Sequence, residues 1–225
     1  MLITRHKGQQ AEKKELSVKK AIVAGWTGRD KAALEKHIRE LEELGVPRPA
    51  STPIYYRVSA SRITTATEIE TIGEESSGEV EFVLTQWDGE LWIGLGSDHT
   101  DRKAETYNVT VSKQMCEKPI ASEFWAFADV APHWDQLVMR SFIEEGGARI
   151  LYQEGSVTAM QDPLALIKGY EGKASLDEGA LMFCGTFAAK GGIRPADYFE
   201  YEIHDPVLNR TIRHAYRLHK LPVLG

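Results

Sequence analysis

Glu79, Glu81 and Asp98 are the residues whose types and spacing most clearly suggest chemistry. Residues 78–87 alternate like a β-strand, Asp88-Gly89 is a strong two-residue hairpin signal, and residues 90–97 supply the return strand. With that turn Trp87 faces Glu90, so Glu79 faces Asp98, and Glu81 shares the face of Glu79. Opposed residues of an antiparallel pair stand about 5 Å apart at Cβ. Acids that close repel unless a cation or a proton lies between them. Oxygen donors of this kind suit magnesium, manganese or calcium. A solvated strand face can carry the same Glu-x-Glu spacing. Here, however, Val80, Phe82 and Leu84 line the opposite face, Val83 shares the acid face, and residues 91–96 are apolar on both faces. The pattern predicts a hairpin covered on both sides, where buried acids need a partner.

Other polar groups could join this trio. Arg102, in Gly96-Ser97-Asp98-His99-Thr100-Asp101-Arg102, suits bidentate binding of a carboxylate, although a turn closed by its own Asx hydrogen bonds reads the same way. His99 could be a metal ligand, a base or a bystander; a strand neighbour of Asp98 points to the opposite face, which favours the bystander. Lys113 could bring an ammonium to the acids; a solvated lysine is the default alternative. Gln153 and the pair Gly185-Thr186, at the end of an apolar strand, offer amide and hydroxyl groups to an oxyanion, or simply turn chemistry. His37 and Glu40 sit three apart on a helix, where a carboxylate can orient an imidazole. An ordinary charged helix face has the same composition.

These residues require elements to hold them. Residues 20–26 predict a strand, and Asp30 can cap a helix reaching to about Leu44, with Leu34, Ile38 and Leu41 as its apolar stripe and Gly45 and Pro47 as its stop. Short strands are expected over 54–58, 68–72, 106–111, 137–143, 149–152, 181–186, 198–203 and 211–216, with a helix over 163–168 and a loop-rich, aromatic stretch over 119–136. Strand signals outnumber helix signals, which predicts an α+β, strand-dominated sandwich or roll with a few peripheral helices. Polar, lysine-rich residues 1–19 read as an N-terminal extension, and 20–225 as a single domain.

The net charge of −6 argues against a general nucleic-acid surface. No apolar run approaches the roughly 18 residues of a membrane span, so no membrane partner is expected. No secretory signal is visible. Cys116 and Cys184 sit in no metal or redox spacing, and a reduced, cytoplasmic protein is the expectation.

Taken in chain order, the motifs resemble the fumarylacetoacetate hydrolase (FAH) superfamily, in a branch of unknown function. His37-Ile38-Arg39-Glu40 is similar to the family's His-x-x-Glu, and Pro53-Ile54-Tyr55-Tyr56-Arg57 to the link and strand that follow it. Glu79-Val80-Glu81 resembles its Glu-x-Glu strand, and residues 97–102 its Asn-Asp-x-[Ser/Thr]-x-Arg segment. Lys113, the Gln153–Met160 run and Cys184-Gly185-Thr186 look like its later motifs. The likeness spans roughly residues 20 to 218. The family's Asn-Tyr before the histidine is missing, its proline after Thr-Gly-Thr is Phe187, and its Pro-Gly-Asp turn is replaced at residues 177–180. All three departures fall around the substrate pocket.

The resemblance implies an FAH-like mixed β-sandwich roll and a homodimer. It also implies an enzyme using Mg²⁺ or Mn²⁺, with Ca²⁺ as a stand-in in crystals, held by Glu79, Glu81 and Asp98. The substrate would be a small 2-oxo or 1,3-dicarbonyl acid. His37, oriented by Glu40, would be the general base; Lys113 and Arg102 would balance charge; Gln153, Gly185 and Thr186 would bind substrate; and the helix over 30–44 would close as a lid. The first expectation is hydrolysis of a C–C bond in an acylpyruvate-like acid through a metal-bound enolate. A decarboxylase, a hydratase or dehydratase, and an isomerase are alternatives on the same site. A non-catalytic small-molecule-binding protein is a further alternative, as is a structural β-roll with surface acids.

Overall fold

Two sheets carry the architecture of the computed structural model, which describes residues 1–43 and 48–224, except for the side chains of His37, Glu40 and Leu41. The larger sheet has eight strands in the order Gln10–Glu15, Leu2–Lys7, Glu123–Ala126, Glu90–Ser97, Val80–Trp87, Ala180–Phe183, Lys20–Gly25 and Ile54–Val58. A five-stranded sheet runs Ala148–Ser156, Val138–Glu145, Tyr198–Asp205, Arg210–Leu221 and Glu68–Ile72. Few helices accompany them, so the α+β, strand-dominated class read from the sequence is the one observed.

The central hairpin has the expected register. Val80 pairs with Ser97 and Trp87 with Glu90, with no shift between them. Asp88 and Gly89 both adopt positive φ, 54° and 74°, as a tight hairpin turn requires. One face of the hairpin (Phe82, Leu84, Ile93, Leu95) enters the core shared with Tyr201, Ile203 and Met139 of the second sheet. The other face (Val83, Trp87, Trp92) enters a separate cluster with Val23, Leu181, Phe183, Ile3 and Leu16. The hairpin is therefore covered on both sides, and Glu81 lies on the side of the second cluster.

Residues 2–15, part of the expected N-terminal extension, form a hairpin that joins the large sheet. Leu2–Lys7 runs parallel to Glu123–Ala126, with Thr4 opposite Glu123. The strand expected over 106–111 is instead helical: Arg102–Tyr107 and Val109–Met115 are two short helices. Asp101 caps the first through Ala104 N–H and Asn108 caps the second through Val111 N–H. These side-chain caps satisfy amides that a strand would have left to a neighbour. The helix Lys31–Glu43 begins as read, with the Asp30 carboxylate accepting the amides of Ala32 and Ala33 at 2.9 and 3.1 Å. Its expected stop at Gly45 and Pro47 lies outside the described residues.

Candidate metal centre

Because the hairpin register is regular, Glu79 and Asp98 meet at its open end, where Asp98 N–H donates to the Glu79 carbonyl at 3.0 Å. One carboxylate oxygen from each of Glu79, Glu81 and Asp98 lies within 4.8 Å of the other two. Glu81 and Asp98 are 2% and 0% exposed. The glycine-threonine pair that follows strand Ala180–Phe183 reaches the same point: Gly185 N–H donates to Glu81 Oε2 at 2.7 Å. Gly185 has φ of +95°, and a Cβ there would stand 1.9 Å from Thr27 Oγ1. Only glycine fits this approach.

Cations balance the acids. Lys113, on the helix Val109–Met115, hydrogen-bonds to Asp98 Oδ2. Lys118 Nζ stands 3.5 Å from Asp98 Oδ1 and donates to the carbonyls of His99 and Cys116 at 2.6 and 3.0 Å. Arg102 pairs with Glu79 at 3.0 Å and with Glu105 at 2.9 Å, and donates to Ser77 Oγ at 2.7 Å. Burial pushes the Glu81 carboxyl well above the usual carboxylate range, and Asp98 and Glu79 add to the rise; Lys113 and the Gly185 N–H oppose it. Burial would also raise Asp98, but Lys113 and Lys118 outweigh it and hold its pKa low. Burial alone would lower the Lys113 ammonium; the surrounding Asp98, Glu79 and Glu81 reverse this and raise it.

Do these residues fit a divalent cation? The donor set is all oxygen, the preference of a hard ion. Asp98 Oδ1 is buried without a hydrogen-bond partner. Burial first, then the neighbouring Asp98 and Glu79, raise the Glu81 pKa, so it holds a proton more readily than an exposed carboxylate does. A cation would take the place of that proton. The fit is good.

The acids open into a cavity of about 540 Å³ that is also lined by Arg102, Lys113, Gly185 and Thr186. Trp26, Thr27, Leu34 and Tyr56 complete much of its wall. Trp26 holds a positive φ of 56°, uncommon for a bulky residue. Leu34 brings the helix Lys31–Glu43 to the cavity. His37 and Glu40 belong to that helix, and their side chains lie outside the described residues.

Gln153 stands behind the site. Its Nε2 donates to Thr186 Oγ1 and the Phe187 carbonyl at 2.9 and 2.7 Å, and its Oε1 accepts from Val80 N–H and Ser141 Oγ at 3.0 and 2.9 Å. Thr186 Oγ1 donates to the Val80 carbonyl at 2.7 Å. Gln153 thus locks Thr186 against the hairpin. His99 points away from the acids: its Nδ1 shares a hydrogen bond of 2.8 Å with Tyr216. Burial, with help from Lys118 and Arg102, pushes its pKa down to about 3, so the ring is neutral.

Sequence reasoning missed Lys118 and Thr27. In the structure Lys118 pairs in parallel with Ile63 and is fully buried. No local signal distinguishes it from a surface lysine.

Residues 24–216 match the protein family described as "Protein of unknown function (DUF2848)". No curated protein sequence matches the chain. Among solved structures, Cg1458 is 14% identical, with a TM-score of 0.61 over 92% of this chain and 78% of that one. A 2-keto-3-deoxy-D-arabinonate dehydratase complexed with magnesium and 2,5-dioxopentanoate is 14% identical, with a TM-score of 0.63 over 95% of this chain and 77% of that one. A 4-oxalocrotonate decarboxylase from Pseudomonas putida G7, complexed with calcium and acetate, is 12% identical, with a TM-score of 0.58 over 91% and 78%. These three are FAH-superfamily members, and the two-sheet architecture is shared with them. The chain belongs to the family described as protein of unknown function DUF2848, on the fold of the fumarylacetoacetate hydrolase superfamily.

Proposed function

We propose that this protein is a divalent-metal-dependent enzyme that enolises a small 2-oxo acid. The observation that carries this reading is the convergence of Glu79, Glu81 and Asp98 within 4.8 Å, in a cavity that also holds Lys113 and Arg102. Glu79, Glu81 and Asp98 would hold Mg²⁺ or Mn²⁺. Bound there, the ion would act as a Lewis acid on a chelating 2-oxo carboxylate, making the adjacent C–H acidic.

The chain's own groups supply the rest. Lys113, charged and fixed on Asp98, offers positive charge beside the developing oxyanion. Arg102 is held by Ser77, Glu79 and Glu105 at the cavity wall, where its charge favours the substrate carboxylate. Gly185 N–H keeps Glu81 aimed into the cluster. Leu34, Tyr56 and Val109 add apolar surface to the cavity wall. His37, with Glu40 beside it on the helix, is our choice of general base.

Hydrolysis of a C–C bond in an acylpyruvate-like acid is the overall reaction we put forward. Dehydration or decarboxylation of a 2-oxo acid is the second reading, favoured by the structural neighbours named as a dehydratase and a decarboxylase. All three pass through an enolate of the 2-oxo acid, reached by loss of a C3 proton in dehydration, by loss of CO₂ in decarboxylation, and by addition of water and release of the acyl group as a carboxylic acid in hydrolysis. Deuterium exchange at C3 of 2-oxo acids in D₂O, with and without Mg²⁺ or Mn²⁺, tests whether the site forms that enolate. Metal-dependent exchange is expected. Exchange that ignores metal would remove the ion from this step, and ligand binding with no exchange would leave a binding protein. A product panel across acylpyruvates and 2-oxo acids then separates the reaction types.

A further inference from the structure

A second cavity, of about 530 Å³, borders the first. Both are lined by Glu79 and Thr186. The rest of its wall is largely apolar: Tyr152, Phe187, Ala188, Ala189 and Ile193, with Gly78 and Gly192. No cation lines it. Of its polar side chains, Gln153 and Thr186 are committed, Glu79 is of the wrong sign, and the Tyr152 hydroxyl accepts from Arg194 N–H at 3.1 Å. Gln153 spends its amide on Thr186, Phe187, Val80 and Ser141. Glu79 is an acid, and its pairing is to Arg102 in the first cavity. Nearby cations are neutralised elsewhere, Lys190 on Glu154 and Arg194 on Glu145.

Phe187 is the residue that shapes this wall. Its ring lies over Gly155, where a Cβ would meet it at 3.1 Å. Phe187 follows Thr186 directly, so the chain that borders the metal-site cavity continues into the second cavity without a break.

We propose that this cavity takes the tail of the substrate and selects a 2-oxo monocarboxylic acid with an apolar chain over one ending in a second carboxylate. The inference rests on the reading of the acid trio as the site that binds the 2-oxo carboxylate end. Apolar chain atoms gain from leaving water against Phe187, Ala189 and Ile193. A terminal carboxylate would lose its hydration with no cation among the described lining residues to compensate and would face Glu79.

The test uses the full chain loaded with Mn²⁺ and calorimetric titration of three ligands: oxalate, which has no tail, 2-oxohexanoate, and 2-oxohexanedioate. Binding of 2-oxohexanoate at least about tenfold tighter than the dicarboxylate is expected, in line with what an apolar pocket discriminates. Ile193→Lys, at an exposed position of the cavity rim, should reverse the order while leaving oxalate affinity unchanged. Ala189→Arg gives the same readout should the first variant fail to fold. Mn²⁺ and oxalate binding with equal or tighter binding of the dicarboxylate would overturn the tail assignment alone, as would variants that fail to shift the preference. Absence of Mn²⁺ binding would overturn the site reading and this inference together.

Discussion

The Gly185 amide donates to Glu81 Oε2 at 2.7 Å, joining the Glu-x-Glu strand to the turn that leaves strand Ala180–Phe183. The contact depends on a glycine with φ of +95° pressed against Thr27. Gly185→Ala should move the amide and let Glu81 turn. We expect a loss of metal affinity of about 10- to 100-fold, the usual effect of removing a group that orients a ligand. Titration with Mn²⁺ measures it; unchanged affinity would remove Glu81 from the ligand set.

Glu81 carries a folded-state cost that a metal would remove. Its pKa is raised by burial and by Asp98 and Glu79, so ionising it opposes folding as pH rises. Glu81→Gln keeps a carbonyl oxygen for Gly185 but drops the charge. Near neutral pH the metal-free variant should melt higher than wild type by a few degrees, about 1 kcal/mol corresponding to roughly 2–4 °C at this length. The rise in Tm that wild type gains from Mg²⁺ or Mn²⁺ should disappear. A variant that melts lower when metal-free and still responds to metal would contradict this reading.

Lys113 acts in the opposite sense. Lys113→Met leaves Asp98 beside two carboxylates with Lys118 as its remaining close cation. Removing one partner of a buried pair costs about 3–5 kcal/mol. Denaturant unfolding of the metal-free protein should show a loss on this scale, and added Mn²⁺ should recover more of it than wild type gains. An equal loss with and without metal would assign Lys113 to packing rather than to charge balance.

Away from the site, Asp205 sets a pH limit on stability. It is 0% exposed, accepts the amides of Val207 and Leu208 at 3.0 and 3.1 Å, and faces His133 at 2.9 Å and Arg210 at 3.2 Å. Burial would raise its pKa, but the Leu208 amide, His133 and Arg210 together outweigh burial and lower it. An acid with a depressed folded pKa stabilises fully above its unfolded value of about 3.9 and loses that contribution as pH falls through the folded value. Urea midpoints of wild type and Asp205→Asn should therefore differ most at neutral pH and converge below about pH 4. A gap that holds constant to acid pH would show that the Asp205 charge contributes nothing.

The acid trio was legible because it is a local fact. A two-residue turn and side-chain alternation set the register of residues 78–98, and the register sets which residues meet. The helix start at Asp30 and most strands were legible for similar reasons of capping and periodicity. Residues 106–111 alternate between larger and smaller side chains much as a strand does, and what decided otherwise was the capping of two short helices by Asp101 and Asn108. The burial of Lys118, the entry of Leu2–Lys7 into the large sheet and the apolar cavity behind Thr186 were not legible. Each depends on segments far apart in the chain that touch only after the sheets assemble: Lys118 on Ile63, Thr4 on Glu123, Phe187 on Gly155. Short-range geometry placed three acids together; long-range packing decided which charges oppose them and what shape of molecule can lie alongside.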